Sequence, residues 1–172
     1  MNRWIALSAA ALVIIVAIAG CAANTESSGT PTNTYVSPAG FTIKYPSDWI
    51  GEEPESGALA VLFGLPTGNS TDNLNVQVIE PVDTLSSVTL NVTAAMHNYS
   101  DFKQIEAGNT TLAGTAAYKS VYTATIYRPM KIMQILTVKN GTAYMVTYKA
   151  GPDNYDKYVE TAQKMIDSFQ LA

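Results

Sequence analysis

The sequence predicts an α+β fold, an α/β/α sandwich in which a central, mainly antiparallel sheet is flanked by helices. Three observations lead there. The hydrophobic period runs strand, helix, strand, helix along the chain; the middle strands are apolar on both faces; and Asn140-Gly141 supplies the positive φ values of a two-residue hairpin.

Taken in order, Tyr35 to Gly40 reads as an extended entry with a turn, and Phe41-Thr42-Ile43-Lys44-Tyr45 alternates as a half-buried strand that Pro46 stops. Ser47 to Gly51 is a turn in which Trp49 plugs one end of the core. Ala58 to Phe63 is apolar on both faces, the polar stretch GLPTGNSTDN (64–73) is a loop, and Leu74 to Ile79 resumes alternation. From Leu85 to Tyr99 the apolar positions Leu85, Val88, Val92, Ala95, Met96 and Tyr99 recur at three- and four-residue steps, so one helical face should lie on the sheet. Phe102–Ile105 and Thr111-Leu112 read as short strands around a Gly108-Asn109 turn, and Gly114 opens a longer strand through Tyr127. Met130 to Val138 and Ala143 to Lys149 form the hairpin arms around Asn140-Gly141. Gly151-Pro152-Asp153 starts a closing helix with Tyr155, Tyr158, Val159, Ala162, Ile166 and Phe169 on its apolar side.

Ahead of this body the chain begins with a basic start at Arg3, an apolar run from Trp4 to Ile18 and the small residues Ala19-Gly20, which together read as an export signal. That run is near the lower limit for crossing a bilayer, so length alone leaves an uncleaved anchor open. The sole cysteine, Cys21, falls at the end of it. Ile18-Ala19-Gly20-Cys21 resembles a lipobox, which implies cleavage between Gly20 and Cys21 and a diacylglyceryl group on the sulfur. Two acyl chains, at about 0.8 kcal/mol per buried CH₂, hold a protein on a membrane where one does not. The expected organisation is a signal peptide at 1–20, a lipidated tether at 21–34 and one folded domain at 35–172. The Ser/Thr/Asn/Gly/Pro-rich tether cannot bury enough surface to order itself and would let the domain stand roughly 20 Å from the bilayer. The expected location is therefore the extracytoplasmic face of a membrane.

Charge narrows the partners. Losing the leader removes Arg3 and no acid, leaving nine basic residues against fourteen acidic ones, a balance of −5. The nine are scattered, so no stripe tracks a phosphate backbone and nucleic acid is not an expected partner. No internal disulfide is available to a chain with one cysteine.

Residues able to do chemistry are few. His97, the single histidine, has Asp101 one helical turn on but no Gly-x-Ser-x-Gly elbow to supply a nucleophile, and it reads as a solvated surface residue. Glu52, Glu53, Glu55 and Asp72 match no calcium-loop spacing and there is no His/Cys set for zinc, so they read as solvated loop charges and no metal or cofactor is expected. Of the ten tyrosines, Tyr118, Tyr122, Tyr127, Tyr144 and Tyr148 fall on neighbouring strands; a groove for a sugar or peptide is one reading, ordinary strand residues the favoured one. Asn-x-Ser/Thr sequons begin at Asn69, Asn91, Asn98 and Asn109, with a fifth at Asn140 in the tight hairpin, which suits a glycosylated surface protein.

The entry Gly40-Phe41-Thr42-Ile43-Lys44-Tyr45-Pro46-Ser47-Asp48-Trp49, the turn Leu112-Ala113-Gly114 into a long strand, Lys139-Asn140-Gly141 with Ala143-Tyr144, and the closing Met165-Ile166-Asp167-Ser168-Phe169 resemble the PsbP-like domains of the Mog1/PsbP superfamily over about residues 35 to 170. The resemblance implies an α/β/α sandwich acting as an accessory, assembly or binding module. The metal sites of plant-type relatives have no matching histidine cluster here. The expectation is a lipid-anchored, non-catalytic binding or assembly-helper module with an extracytoplasmic protein or glycan partner. The alternatives are an envelope hydrolase using the Glu52–Glu55 or Tyr-rich regions, and a structural surface component.

Overall fold

Asn140-Gly141 organises the centre of the molecule. In the computed structural model, which describes residues 32–55, 59–67 and 71–172, both turn residues have positive φ, 52° and 79°. They join β8 (Pro129–Lys139) to β9 (Thr142–Ala150), antiparallel from Lys139↔Thr142 outward to Lys131↔Ala150. Five more strands extend this hairpin: β3 (Ile50–Glu52), β4 (Leu59–Gly64), β5 (Asn73–Ile79), β6 (Ser100–Leu112) and β7 (Thr115–Thr125). The order is β3-β4-β5-β9-β8-β7-β6, and every neighbouring pair is antiparallel.

A second sheet of three strands has β2 (Phe41–Pro46) between β1 (Thr32–Ser37) and β10 (Gln170–Leu171). β1 already begins inside the stretch read from sequence as tether. The leader, Gly20 and Cys21 and sequon residue Asn69 lie outside the described residues. No helix among the described residues is long and apolar enough to cross a membrane.

Two helices complete the fold, α1 (Leu85–Met96) and α2 (Pro152–Asp167). Thr84 caps α1: its hydroxyl accepts the Ser87 N–H while the Ser87 hydroxyl reaches back to the Thr84 N–H. That reciprocal cap offsets the poor helix propensity of a Thr/Asn-containing segment. Val88 and Met96 are buried, but Ala95 and Tyr99 are exposed, so the apolar stripe is narrower than the sequence suggests. Gly151 is the N-cap of α2, Pro152 opens it, and Asp153 sits near its positive end.

The pleat sorts the core. On one face Met133 and Ile135 of β8 and Tyr144, Val146 and Tyr148 of β9 pack with Tyr155, Ala162, Met165 and Ile166 of α2 and with Phe41 and Ile43 of the small sheet. On the other, Leu136, Ala143 and Met145 meet Val88, while Tyr122, Ala124, Met130 and Ile132 meet Met96. The helices thus lie on opposite faces of the large sheet, but α2 shares its face with a second sheet. The result is mostly antiparallel sheet with two helices, richer in strand than the plain helix–sheet–helix sandwich expected. Trp49 is buried as expected, edge-on to Tyr158 at 6.3 Å.

One strand reading is corrected. Gly108-Asn109 is not a turn: both residues lie inside the continuous β6, paired with Lys119 and Tyr118. The chain reverses at Ala113-Gly114, with φ of 49° and 72°. Turn chemistry was present at both places, and the register with β7 selected the second.

Burial of phenols makes the fold sensitive to base. Burial, helped by nearby Asp156, pushes the Tyr155 hydroxyl up to about 12, and burial also raises those of Tyr148 and Tyr122. A folded pKa above the unfolded value of about 10 contributes stability that is intact below that value and is lost as pH rises through the folded one. The urea midpoint is therefore expected to be insensitive to these groups up to about pH 9 and to fall steeply from about pH 10 to 12, in step with tyrosinate absorbance.

Candidate functional site

The strand register builds a polar row where aliphatic side chains would otherwise pack. Asn75 of β5 pairs with Thr147 of β9, Thr147 with Gln134 of β8, and Gln134 with Ser120 of β7. All four lie on the α1 side of the sheet and are 3–8 % exposed. The Gln134 Nε2 donates to Thr147 Oγ1 at 3.1 Å, Asn75 Nδ2 to Asn73 Oδ1 at 2.9 Å, and Ser120 Oγ to the Met96 sulfur at 4.0 Å. Gln134 Oε1 is buried and accepts from nothing among the described residues. An orphaned buried acceptor costs about 1–3 kcal/mol.

A concavity of about 120 Å³ opens over this row, beyond the C-terminal end of α1. Asn75, Gln77, Gln134, Thr147, Lys149 and the phenols of Tyr99 and Tyr122 line it. Lys149 follows Thr147 on the same face of β9 and pairs across the sheet with Asn73 and Ile132. Burial lowers its pKa, and among the described residues no carboxylate lies within ion-pair distance of it. The basin offers amide and hydroxyl donors and acceptors, two aromatic rings and one cation.

Its rim is held by a buried ion pair. Asp72, wholly buried, precedes β5; its Oδ1 accepts from Arg128 and, at 2.9 Å, from the Gly151 N–H, and its Oδ2 accepts from Asn154 Nδ2 at 2.7 Å. The Arg128 guanidinium also donates to Thr71 Oγ1 at 3.1 and 3.2 Å. This carboxylate therefore ties together the loop before β5, the β7–β8 turn and the N-terminus of α2. The turn carries Ile126 on the basin wall.

The sequence candidates disperse. Asp72 is the correction among them, a buried hub and not a solvated loop charge. His97 caps the end of α1 as an exposed residue with its ring 4.6 Å from that of Phe102, and Asp101 accepts instead from Thr125 Oγ1 at 2.9 Å. Glu52, Glu53 and Glu55 are exposed at and just beyond edge strand β3. Tyr144 and Tyr148 face α2, where their hydroxyls donate to the carbonyls of Ala39 at 3.1 Å and Tyr155 at 2.9 Å. Tyr127 is 84 % exposed at the β7–β8 turn, so the five strand tyrosines do not form one groove. Asn91, Asn98, Asn109 and Asn140 are all exposed. Among the described residues no three His, Cys, Asp or Glu side chains converge as metal ligands.

A larger cleft of about 430 Å³ lies between the β6–β7 turn and α2, but its charged and amide side chains are already committed: Lys119 pairs with Glu106 at 3.0 Å and Gln163 with Asp167 at 2.8 Å. Among the described residues, the basin combines an open mouth with an unanswered buried acceptor.

The fold is shared with known structures. The chain is similar to cyanobacterial PsbP (CyanoP) of Synechocystis sp. PCC 6803, with a TM-score of 0.62 at 18% identity over 83% of this chain and 94% of that one. It is similar to LpqN of Mycobacterium tuberculosis, a protein involved in cell envelope biogenesis, with a TM-score of 0.59 at 14% identity over 84% and 87%. A putative regulator from Pseudomonas aeruginosa, PA94, follows at a TM-score of 0.51 and 12% identity over 80% and 94%. At such identities the likeness is one of fold. No curated protein sequence matches the chain significantly. The sequence model of PsbP-like proteins matches residues 5–171, nearly the whole chain, and the protein belongs to the PsbP-like family.

Proposed function

We propose that this protein is a lipid-anchored extracytoplasmic binding or assembly-helper module that works without catalysis. The observation that carries the reading is the basin, where a row of buried amides and hydroxyls includes an acceptor that no donor among the described residues satisfies. Its complement of groups is one for recognition by hydrogen bonds and ring contact. The anchor rests on Cys21 after Ala19-Gly20, followed by a polar stretch that leads to the first strand at Thr32. Exposure of four sequon asparagines fits display on a cell surface, and envelope work by a neighbour of similar fold fits the same setting.

Two measurements test this. Mass spectrometry of the membrane-bound protein should find an N-terminal Cys21 carrying a diacylglyceryl group; an unmodified thiol still joined to the leader would remove the anchor. Crosslinking on native membranes should capture one partner with the parent chain and not with Gln134→Leu or Lys149→Met, measured against a lipid-only control. Equal capture by all three would remove the basin from the function.

A further inference from the structure

We infer that the basin beside α1 binds an acidic sugar, a carboxylate with neighbouring hydroxyl donors, through Lys149 and Gln134. The inference rests on the binding-module reading and supplies its ligand class. Three features of the site lead to it.

First, Gln134 lines the opening; its Nε2 donates to Thr147 Oγ1 at 3.1 Å, and its buried Oε1 meets no donor among the described residues. With Nε2 engaged in that bond, Oε1 is the end of the amide left to accept an O–H or N–H from a ligand that reaches into the row. Second, the Lys149 ammonium shares the opening and meets no carboxylate among the described residues, although the other interior cation of this region, Arg128, has Asp72. A half-buried ammonium with no counter-charge favours an anionic group, since charge-assisted bonds are about twice as strong as neutral ones. Third, the remaining wall suits a polyhydroxylated ring more than a peptide. Asn75 and Gln77 each present an amide with both donors and acceptors, and Tyr99, 40 % exposed at the mouth, offers a ring face to sugar C–H groups. The Tyr122 hydroxyl, protonated at neutral pH as any tyrosine is, adds a donor.

These groups sort the ligand by position. The carboxylate goes to Lys149, a vicinal hydroxyl donates to Gln134 Oε1, and the ring edge lies against Tyr99. About 120 Å³ admits one terminal residue of a glycan and not a buried chain. A neutral sugar would leave the ammonium unanswered, and a simple carboxylate would leave Gln134 unanswered.

The test is a titration of the isotope-labelled full chain in detergent with glucuronate, glucose and acetate, followed through the Gln134 side-chain amide and the backbone amides of Thr147 and Lys149. Glucuronate should give saturable shifts at millimolar concentration, with glucose and acetate each about tenfold weaker or more. Lys149→Met should bring glucuronate down to the level of glucose, and Gln134→Leu should weaken glucuronate while leaving acetate unchanged. Equal binding of glucose overturns the role of Lys149, and absence of saturable shifts with glucuronate in the parent chain overturns the ligand class. Should glucuronate fail while the two variants still lose their crosslinked partner, the ligand class falls and the binding-module reading stands; if the crosslink also persists in both variants, both fall.

Discussion

Arg128→Met is expected to destabilise the protein by about 4–5 kcal/mol and Asp72→Ala by about 3, with urea midpoints falling in that order. The pair is asymmetric. Asp72 has no exposed side-chain surface, whereas the Arg128 side chain keeps 34% of its own. Taking away the arginine leaves a wholly buried carboxylate holding only the Gly151 N–H and the Asn154 amide. Taking away the carboxylate strands those two donors, but the guanidinium is free to swing toward water. Removing both should cost less than the sum of the two, because neither variant then leaves a lone charge behind. Equal single losses that add would mean that the pair is not coupled and that the hub is merely a set of loop contacts.

Asp72 also marks where the sequence stopped being legible. Its partners lie 56, 79 and 82 residues further along the chain, and each is unremarkable locally: an arginine before a proline, a helix-capping glycine and an asparagine in a first turn. Only the order of strands brings them together, and no periodicity reports strand order. What is written locally was readable, namely the turn at Asn140-Gly141, the two-sided apolar strands of the centre, and the amphipathic α2 with Pro152 at its start. Half of the basin was readable too. Counting outward from the Asn140-Gly141 turn pairs Gln134 with Thr147, two polar side chains facing one another in otherwise apolar arms. That pairing of polar residues within a greasy hairpin was the signal for a buried polar site. Asn75 and Ser120 join the row through β5 and β7, whose register follows from longer connections and was not available. Gly108-Asn109 shows the opposite failure, a strong local turn signal overridden by thirteen residues of edge strand.

Gly151→Ala is expected to cost about 3 kcal/mol, far more than alanine normally loses against glycine at an N-cap. The backbone there is not the reason, since φ of −63° suits any residue. A Cβ at this position would run into the Arg128 guanidinium, reaching 2.9 Å from its Cζ. A free arginine would simply move aside. This one is fastened by Asp72 and by Thr71, so making room means giving up the ion pair, and the small residue is needed for the neighbour's sake. The cost should therefore vanish with its cause: in an Arg128→Met background, Gly151→Ala should lower stability by less than about 1 kcal/mol, the ordinary capping difference. A penalty of the same size in both backgrounds would trace it to the cap of α2 instead, and would deny that glycine, arginine and aspartate form one unit holding the rim of the basin.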